Sequence, residues 1–201
     1  MSKPVVHRES PSQTAGPYVH IGCTPNAAGI STVYPDDLGT RMITDQAKGS
    51  RIEITGCVWD GHGDPLKDAM IEFWQADEKG RYPAGDPRGP ADPGVLGWAR
   101  VGADLKTGIW RLETVKPGPV PGPEGTQQAP HISVWIVARG INTGLQTRIY
   151  FPQDDLSQDP LCMAVADPAR IDTLVAKPDG PGQYRCDIRL QGPDETVFFD
   201  L

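Results

Sequence analysis

His131 and Ser133 stand two residues apart at the start of HISVWIVA, an apolar, β-branched run over residues 131–138. Positions i and i+2 of a strand point to the same face, so the two side chains share a surface. A second histidine at 133 would make half of a metal site, with two imidazoles converging on one ion. With serine there, the pair reads as a metal site, as the remnant of one, or as an ordinary strand whose histidine is satisfied by a hydrogen bond. Arg139 has the parity of His131, yet eight residues at about 3.3 Å each place it about 26 Å away. If functional, it serves something at the far end of the strand; otherwise it is a surface residue closing the turn before Gly140. A second polar group lies in Thr14-Ala15-Gly16-Pro17-Tyr18. It offers a hydroxyl, a glycine that another backbone can approach, and an aromatic ring with a polar tip. His20 and His62 have no partner in any pattern and read as surface or core histidines. The four cysteines (Cys23, Cys57, Cys162, Cys186) form no CxxC and no close pair, which argues against a zinc knuckle or a redox motif. Cys57 and Cys186 sit inside strand-like runs, where a reduced thiol behaves as a small hydrophobe.

The elements that must hold these residues are short strands. RIEITGCVW (51–59) and DAMIEFWQAD (68–77) flank the turn DGHGDP, and the pair is expected to form an antiparallel hairpin. WARVGAD (98–104) and IWRLETV (109–115) are expected to form a second hairpin around LKTG. HISVWIVA and LQTRIYF (145–151) flank RGINTG. QYRCDIRLQ (183–191) and ETVFFDL (195–201) are expected to close the chain as a last hairpin around Gly192-Pro193. The five tryptophans, at 59, 74, 98, 110 and 135, lie in or beside these runs and suit core packing or burial against a partner. Residues 78–97 are too rich in Gly and Pro for regular structure, and 116–130 read as a proline-rich connection with extended character. Helical material is confined to 153–174 and broken at Pro168. Residues 10–22 read as a long N-terminal arm without sustained periodicity, and 23–50 as irregular. Seven or eight short strands between long loops predict an all-β sandwich, one domain over 1–201, with the arm and irregular segment over 1–50 and the sandwich over 51–201.

Composition narrows the function classes. With 23 glycines and 21 prolines among 201 residues, turns are frequent, but the chain stays below the level of a disordered one. A net charge of −7 excludes attraction to nucleic acid or to an anionic membrane surface. MSKPVVHRES lacks the apolar core of a signal peptide, and no apolar run approaches the length of a membrane span. A cytoplasmic location is therefore expected.

Four pieces in order, SPSQTAGPYVHIG, DAMIEFWQADEKGRY, TVKPGPVPG, and APHISVWIVARGIN with LQTRIYF, carry a resemblance over roughly residues 10–201. Together they resemble the intradiol ring-cleaving dioxygenases, and among these the protocatechuate 3,4-dioxygenases. The fold this implies is a β-sandwich. The activity it implies is insertion of both atoms of O₂ into the ring of 3,4-dihydroxybenzoate (protocatechuate), cleaved between the hydroxyl-bearing carbons to 3-carboxy-cis,cis-muconate. Catalytic chains of that family hold a non-haem Fe(III) with two tyrosines and two histidines. Here Gly80-Arg81-Tyr82 supplies one tyrosine and His131 one histidine. Val120 follows Lys116-Pro117-Gly118-Pro119 where the second tyrosine belongs, Ser133 replaces the second histidine, and Gln128 stands where the pattern has an arginine. Valine has no donor atom, and a serine hydroxyl binds strongly only when deprotonated.

Protocatechuate 3,4-dioxygenases combine two related chains, a catalytic β chain and an α chain with a degenerate site. PSQTAGPYVHIG, APHI without a second histidine, ARGIN and GPDETVFFDL are similar to the α type. The resemblance thus implies no catalytic residue and no metal in this chain, with Tyr82 and His131 vestigial. It implies Fe(III) on a homologous β chain, a higher assembly of α–β pairs, and substrate contacts from Thr14, Gly16, Pro17, Tyr18 and Arg139. Two other readings stay open. One is a self-sufficient enzyme drawing ligands from Tyr18, Tyr34, Tyr150, Tyr184, His7, His20 or His62, none of which has the family spacing. The other is a non-enzymatic β-sandwich binding or interaction module.

Overall fold

The computed structural model describes residues 11 and 13–200; His7 lies outside them. The strands in chain order are β1 (Arg51–Trp59), β2 (Met70–Trp74), β3 (Trp98–Gly102), β4 (Ile109–Val115), β5 (Val120–Pro121), β6 (Gln127–Gln128), β7 (His131–Val137), β8 (Leu145–Tyr150), β9 (Lys177–Gly180), β10 (Gln183–Arg185) and β11 (Ile188–Arg189). Two sheets carry the architecture. One is wholly antiparallel in the order β3-β2-β7-β8. In the other, β1 pairs antiparallel with β4 along one edge and parallel with both β10 and β11 along the other, and β9 extends β10.

Alternation of apolar residues builds the layer between the sheets. Ile52, Ile54, Val58, Trp110 and Leu112 from one sheet meet Ile71, Phe73, Ile132, Val134, Ile136 and Ile149 from the other. The Phe73 and Trp110 rings pack across the gap at 5.3 Å. One polar link crosses it: buried Gln75 accepts from Thr114 Oγ1 at 2.8 Å and donates to the Val115 carbonyl at 2.9 Å. Both ends of the Gln75 amide are therefore satisfied, as burial demands. Met42 and Ile43, in the irregular segment before β1, join the same core.

The sandwich is as expected, but three connections are not. β1 and β2 form no hairpin, because β1 belongs to one sheet and β2 to the other. The turn at 60–65 is closed by a Trp59–Pro65 bridge, after which the chain crosses to the opposite layer. β3 and β4 are divided between the sheets in the same way. The last hairpin forms no strand ladder: β11 adds to β1 in parallel, and the segment after Gly192 is tied back to Arg189 only through Thr196 before Phe199 bridges to Gln146 of the other sheet. The arm holds a short helix, α1 (Pro17–Cys23), where no regular element is expected; Pro17 at its first position is pre-set for helical φ. Material at 160–174 is helical as expected, as α2 (Pro160–Met163) and a 3-10 turn over Pro168–Leu174.

Candidate functional site

β7 carries a candidate site at each end. At its start, His131 lies opposite Tyr150 and Ser133 opposite Arg148 in the register with β8, so the four side chains share the outer face of the sheet. His131 is only 3% exposed, and its Nδ1 is 2.7 Å from the Ala129 carbonyl. A carbonyl can only accept, so Nδ1 carries the proton and Nε2 keeps the lone pair. Burial, helped by the Arg148 guanidinium, holds the His131 pKa down to about 4, against bonding to Ala129 and the charge of Asp159. The imidazole is thus neutral at pH 7. Arg148 Nη1 donates to Tyr150 Oη at 3.2 Å, and Tyr150 Oη donates to Asp159 Oδ1 at 3.1 Å. Asp159 Oδ2 accepts from the Ala129 amide at 2.8 Å, which ties the chain of bonds back to the residue that holds His131.

Tyr82 arrives from the loop after β2. Buried Asp77 organises that loop by accepting backbone hydrogen bonds from Lys79, Arg81 and Asp92. Gly80 has φ +72°, and a Cβ there would stand 1.8 Å from the Pro119 carbonyl oxygen. A Cβ at Gly118 would stand 2.3 Å from the Glu78 carbonyl oxygen. The glycines of GRY and KPGPV thus let the two backbones touch, and this places Tyr82 beside the segment of Val120. Burial raises the Tyr82 pKa, while Arg148 and Arg88 pull it the other way. Val120 is buried in β5, opposite Gln128 of β6.

These residues do not fit a ferric ion. Of the four positions, one offers an aliphatic side chain and one a hydroxyl opposite a guanidinium. Among the described residues, no three His, Cys, Asp or Glu side chains gather as a ligand set. A cleft of about 600 Å³ opens next to Pro119 and Ala129, lined by Glu78, Asp154, Asp155 and Asp159 with Lys116. Lys116 is paired to Asp154 at 2.8 Å, so the cleft has an excess of negative charge and repels an anionic ligand.

At the other end of β7, the arm and Arg139 come together. Thr14 Oγ1 accepts from the Gly140 amide at 2.9 Å and reaches the Ala138 carbonyl at 3.4 Å, so its hydroxyl clamps the turn that carries Arg139. Arg139 Nε forms an ion pair with Asp68 Oδ2. Its side chain is 67% exposed, so the end of the guanidinium fork faces outward. His20 on α1 donates from Nε2 to the Asp68 carbonyl at 2.6 Å. The arm is therefore fixed at two points, Thr14 at the turn that carries Arg139 and His20 at Asp68, the ion-pair partner of Arg139. A Cβ at Gly16 would meet no atom within 4 Å, and the Tyr18 side chain is 83% exposed. Both present an open flank.

Of the sequence-selected residues, Thr14 and Arg139 are brought together, with Gly16 and the helix begun by Pro17 and Tyr18 adjoining. His131 and Ser133 share the other cluster with Arg148 and Tyr150. Arg148, Asp159, Asp68 and His20 were missed as members of either group. Arg148 had a signal: once RGINTG joins two antiparallel strands, LQTRIYF places an arginine across from Ser133. Asp68, His20 and Asp159 had none, since their roles depend on contacts distant in sequence.

A family model described as Dioxygenase matches residues 30–192. The chain is 42% identical over 200 residues to the protocatechuate 3,4-dioxygenase alpha chain of Pseudomonas putida, covering 96% of each chain. It is 34% identical over 160 residues to the protocatechuate 3,4-dioxygenase beta chain of Burkholderia cepacia, covering 74% of this chain and 67% of that one. The structure of catechol 1,2-dioxygenase from Acinetobacter sp. ADP1, inhibited by bound mercury, shares the fold with a TM-score of 0.58 at 22% identity, over 79% of this chain and 62% of that one. Sandwich topology, a donor-poor site beside β7 and alignment over nearly the whole length agree: the chain belongs to the intradiol dioxygenase family, beside the protocatechuate 3,4-dioxygenase alpha chains.

Proposed function

We propose that this chain is the non-catalytic α partner in a protocatechuate 3,4-dioxygenase, an enzyme that opens the ring of 3,4-dihydroxybenzoate with O₂ to give 3-carboxy-cis,cis-muconate. A homologous β chain holds the non-haem Fe(III) on which the chemistry depends. This chain supplies pocket wall, recognition of the substrate carboxylate and a surface that keeps β in place. The observation that carries the reading is the clamp of Thr14 on the turn of Arg139, at the opposite end of the strand from a metal site without its donors. Asp68 pairs with Arg139 at Nε, and the largely exposed side chain remains open to a second anion. Gly16 and Tyr18 border that anion's approach, with Pro17 fixing the bend between them. Holding the carboxylate fixes one orientation of the ring, and the gain from that lies in positioning.

The test compares two substrates on the assembled enzyme. Arg139→Ala raises KM for protocatechuate by about 10- to 100-fold, the loss of one charge-assisted contact worth about 1.5–3 kcal/mol. It leaves KM for catechol, which lacks the carboxylate, nearly unchanged. Equal effects on both substrates remove the carboxylate role from Arg139.

A further inference from the structure

The remnant site is not simply short of donors; it contains a cation of its own. Arg148 is 9% exposed and lies directly opposite Ser133, the position that lacks its histidine. Its Nη1 donates to Tyr150 Oη, and its Nε is buried without a partner. The His131 and Tyr150 rings stand side by side with centroids 5.9 Å apart. Asp159 closes the network below as acceptor for Tyr150 Oη, and the Ala129 carbonyl fixes His131. Tyr82, His131 and Tyr150 all feel the charge of the same guanidinium.

A guanidinium offers five N–H donors and no lone pair, so it cannot ligate a metal. It can replace one electrostatically, satisfying a phenol oxygen while occupying the space. A metal ion entering beside it would meet a fixed like charge at close range in a poorly solvated site. The buried Tyr150 hydroxyl, which accepts from Nη1, and the pairing of β8 with β7 hold the guanidinium there.

We propose that Arg148 is the built-in cation of the degenerate site, excluding metal from it independently of the two missing ligands. Restoring the ligands therefore does not restore metal binding while Arg148 remains. This inference concerns the chain's own metal chemistry and stands apart from the carboxylate role of Arg139.

The test uses the full chain, produced together with its partner if it requires one. Val120→Tyr with Ser133→His returns the donors; the triple variant adds Arg148→Gln, which keeps an amide for Tyr150 and removes the charge. Ferric ion is titrated into both and followed by bound metal and by the visible tyrosinate-to-iron band. The expected result is that the triple variant binds at least about tenfold more tightly than the double and alone shows the band, as loss of one adjacent charge predicts. Affinities within threefold of each other overturn the proposal. Tyrosine at buried position 120 can prevent folding. A second pair, Ser133→His with and without Arg148→Gln, is therefore titrated with Co(II), which the Tyr82 and His131 donors and the added imidazole can share. The same tenfold advantage is expected for the variant without Arg148, and its absence overturns the proposal. Arg148→Lys in that background keeps the charge in a smaller side chain, so it stays as weak as the arginine parent. Binding as tight as that of the glutamine variant would show that volume, not charge, excludes the metal, and would overturn the proposal as stated.

Discussion

At the scale of residues, the most sensitive reporter of the remnant site is His131. Its folded pKa is about 4, against 6.5 for an unperturbed imidazole. The unfolded chain therefore binds more protons between these values, so stability is fully present above about pH 6.5 and is lost as pH falls toward 4. The shift corresponds to about 3 kcal/mol. His131→Gln keeps a donor for the Ala129 carbonyl and cannot titrate. Denaturant unfolding at pH 7.5 and pH 5 shows a smaller loss for the variant than for the unmodified chain. Equal losses would place the proton elsewhere. Much of this site was legible through the resemblance, which marks positions 82, 120, 131 and 133; that a valine and a serine at 120 and 133 are poor donors then follows from their chemistry. Arg148 was legible only conditionally, once the runs 131–138 and 145–151 are paired. Its meaning lies in being across from Ser133, and cross-strand position requires a register that residue types do not supply.

At the scale of elements, two contacts carry the site geometry. The first is the arm against the 138–140 turn. Thr14→Val removes the acceptor for the Gly140 amide and costs about 1 kcal/mol of local stability. The expected outcome is a higher KM for protocatechuate in the same direction as Arg139→Ala, with an almost unchanged melting temperature. A variant with normal KM would uncouple the arm from Arg139. The second is the backbone contact between the GRY loop and the KPGPV segment. Gly80→Ala combines a positive φ with a Cβ that would lie 1.8 Å from the Pro119 oxygen. It lowers unfolding stability by at least about 2 kcal/mol, measured by denaturant titration. An unchanged midpoint would mean that the loops part freely. Strand positions were legible because apolar alternation marks them, and Ile52, Ile54, Ile71 and Phe73 all face the core. Strand partners were not. β1 and β2 bury the same kind of alternating face from opposite sides of the core, so the pattern is identical whether the chain turns back in one sheet or crosses to the other. The parallel addition of β10 and β11 to β1 was hidden for a further reason, since parallel neighbours require a long crossover that no local turn signal announces.

At the scale of the whole molecule, the proposed function divides one reaction between two related chains. Similarity to both alpha and beta chains of protocatechuate 3,4-dioxygenases accompanies a site without the donors for iron. The net charge of −7 and the carboxylates around the cleft beside Ala129 give the chain no attraction for an anionic substrate there, whereas Arg139 sits where the arm leaves an open flank. The most direct test is the iron content of the purified full chain without its partner. Below about 0.1 iron per chain, and no visible tyrosinate band, is the predicted result, because half of the ligand set is absent. A coloured chain that carries close to one iron and opens the catechol ring unaided would contradict it.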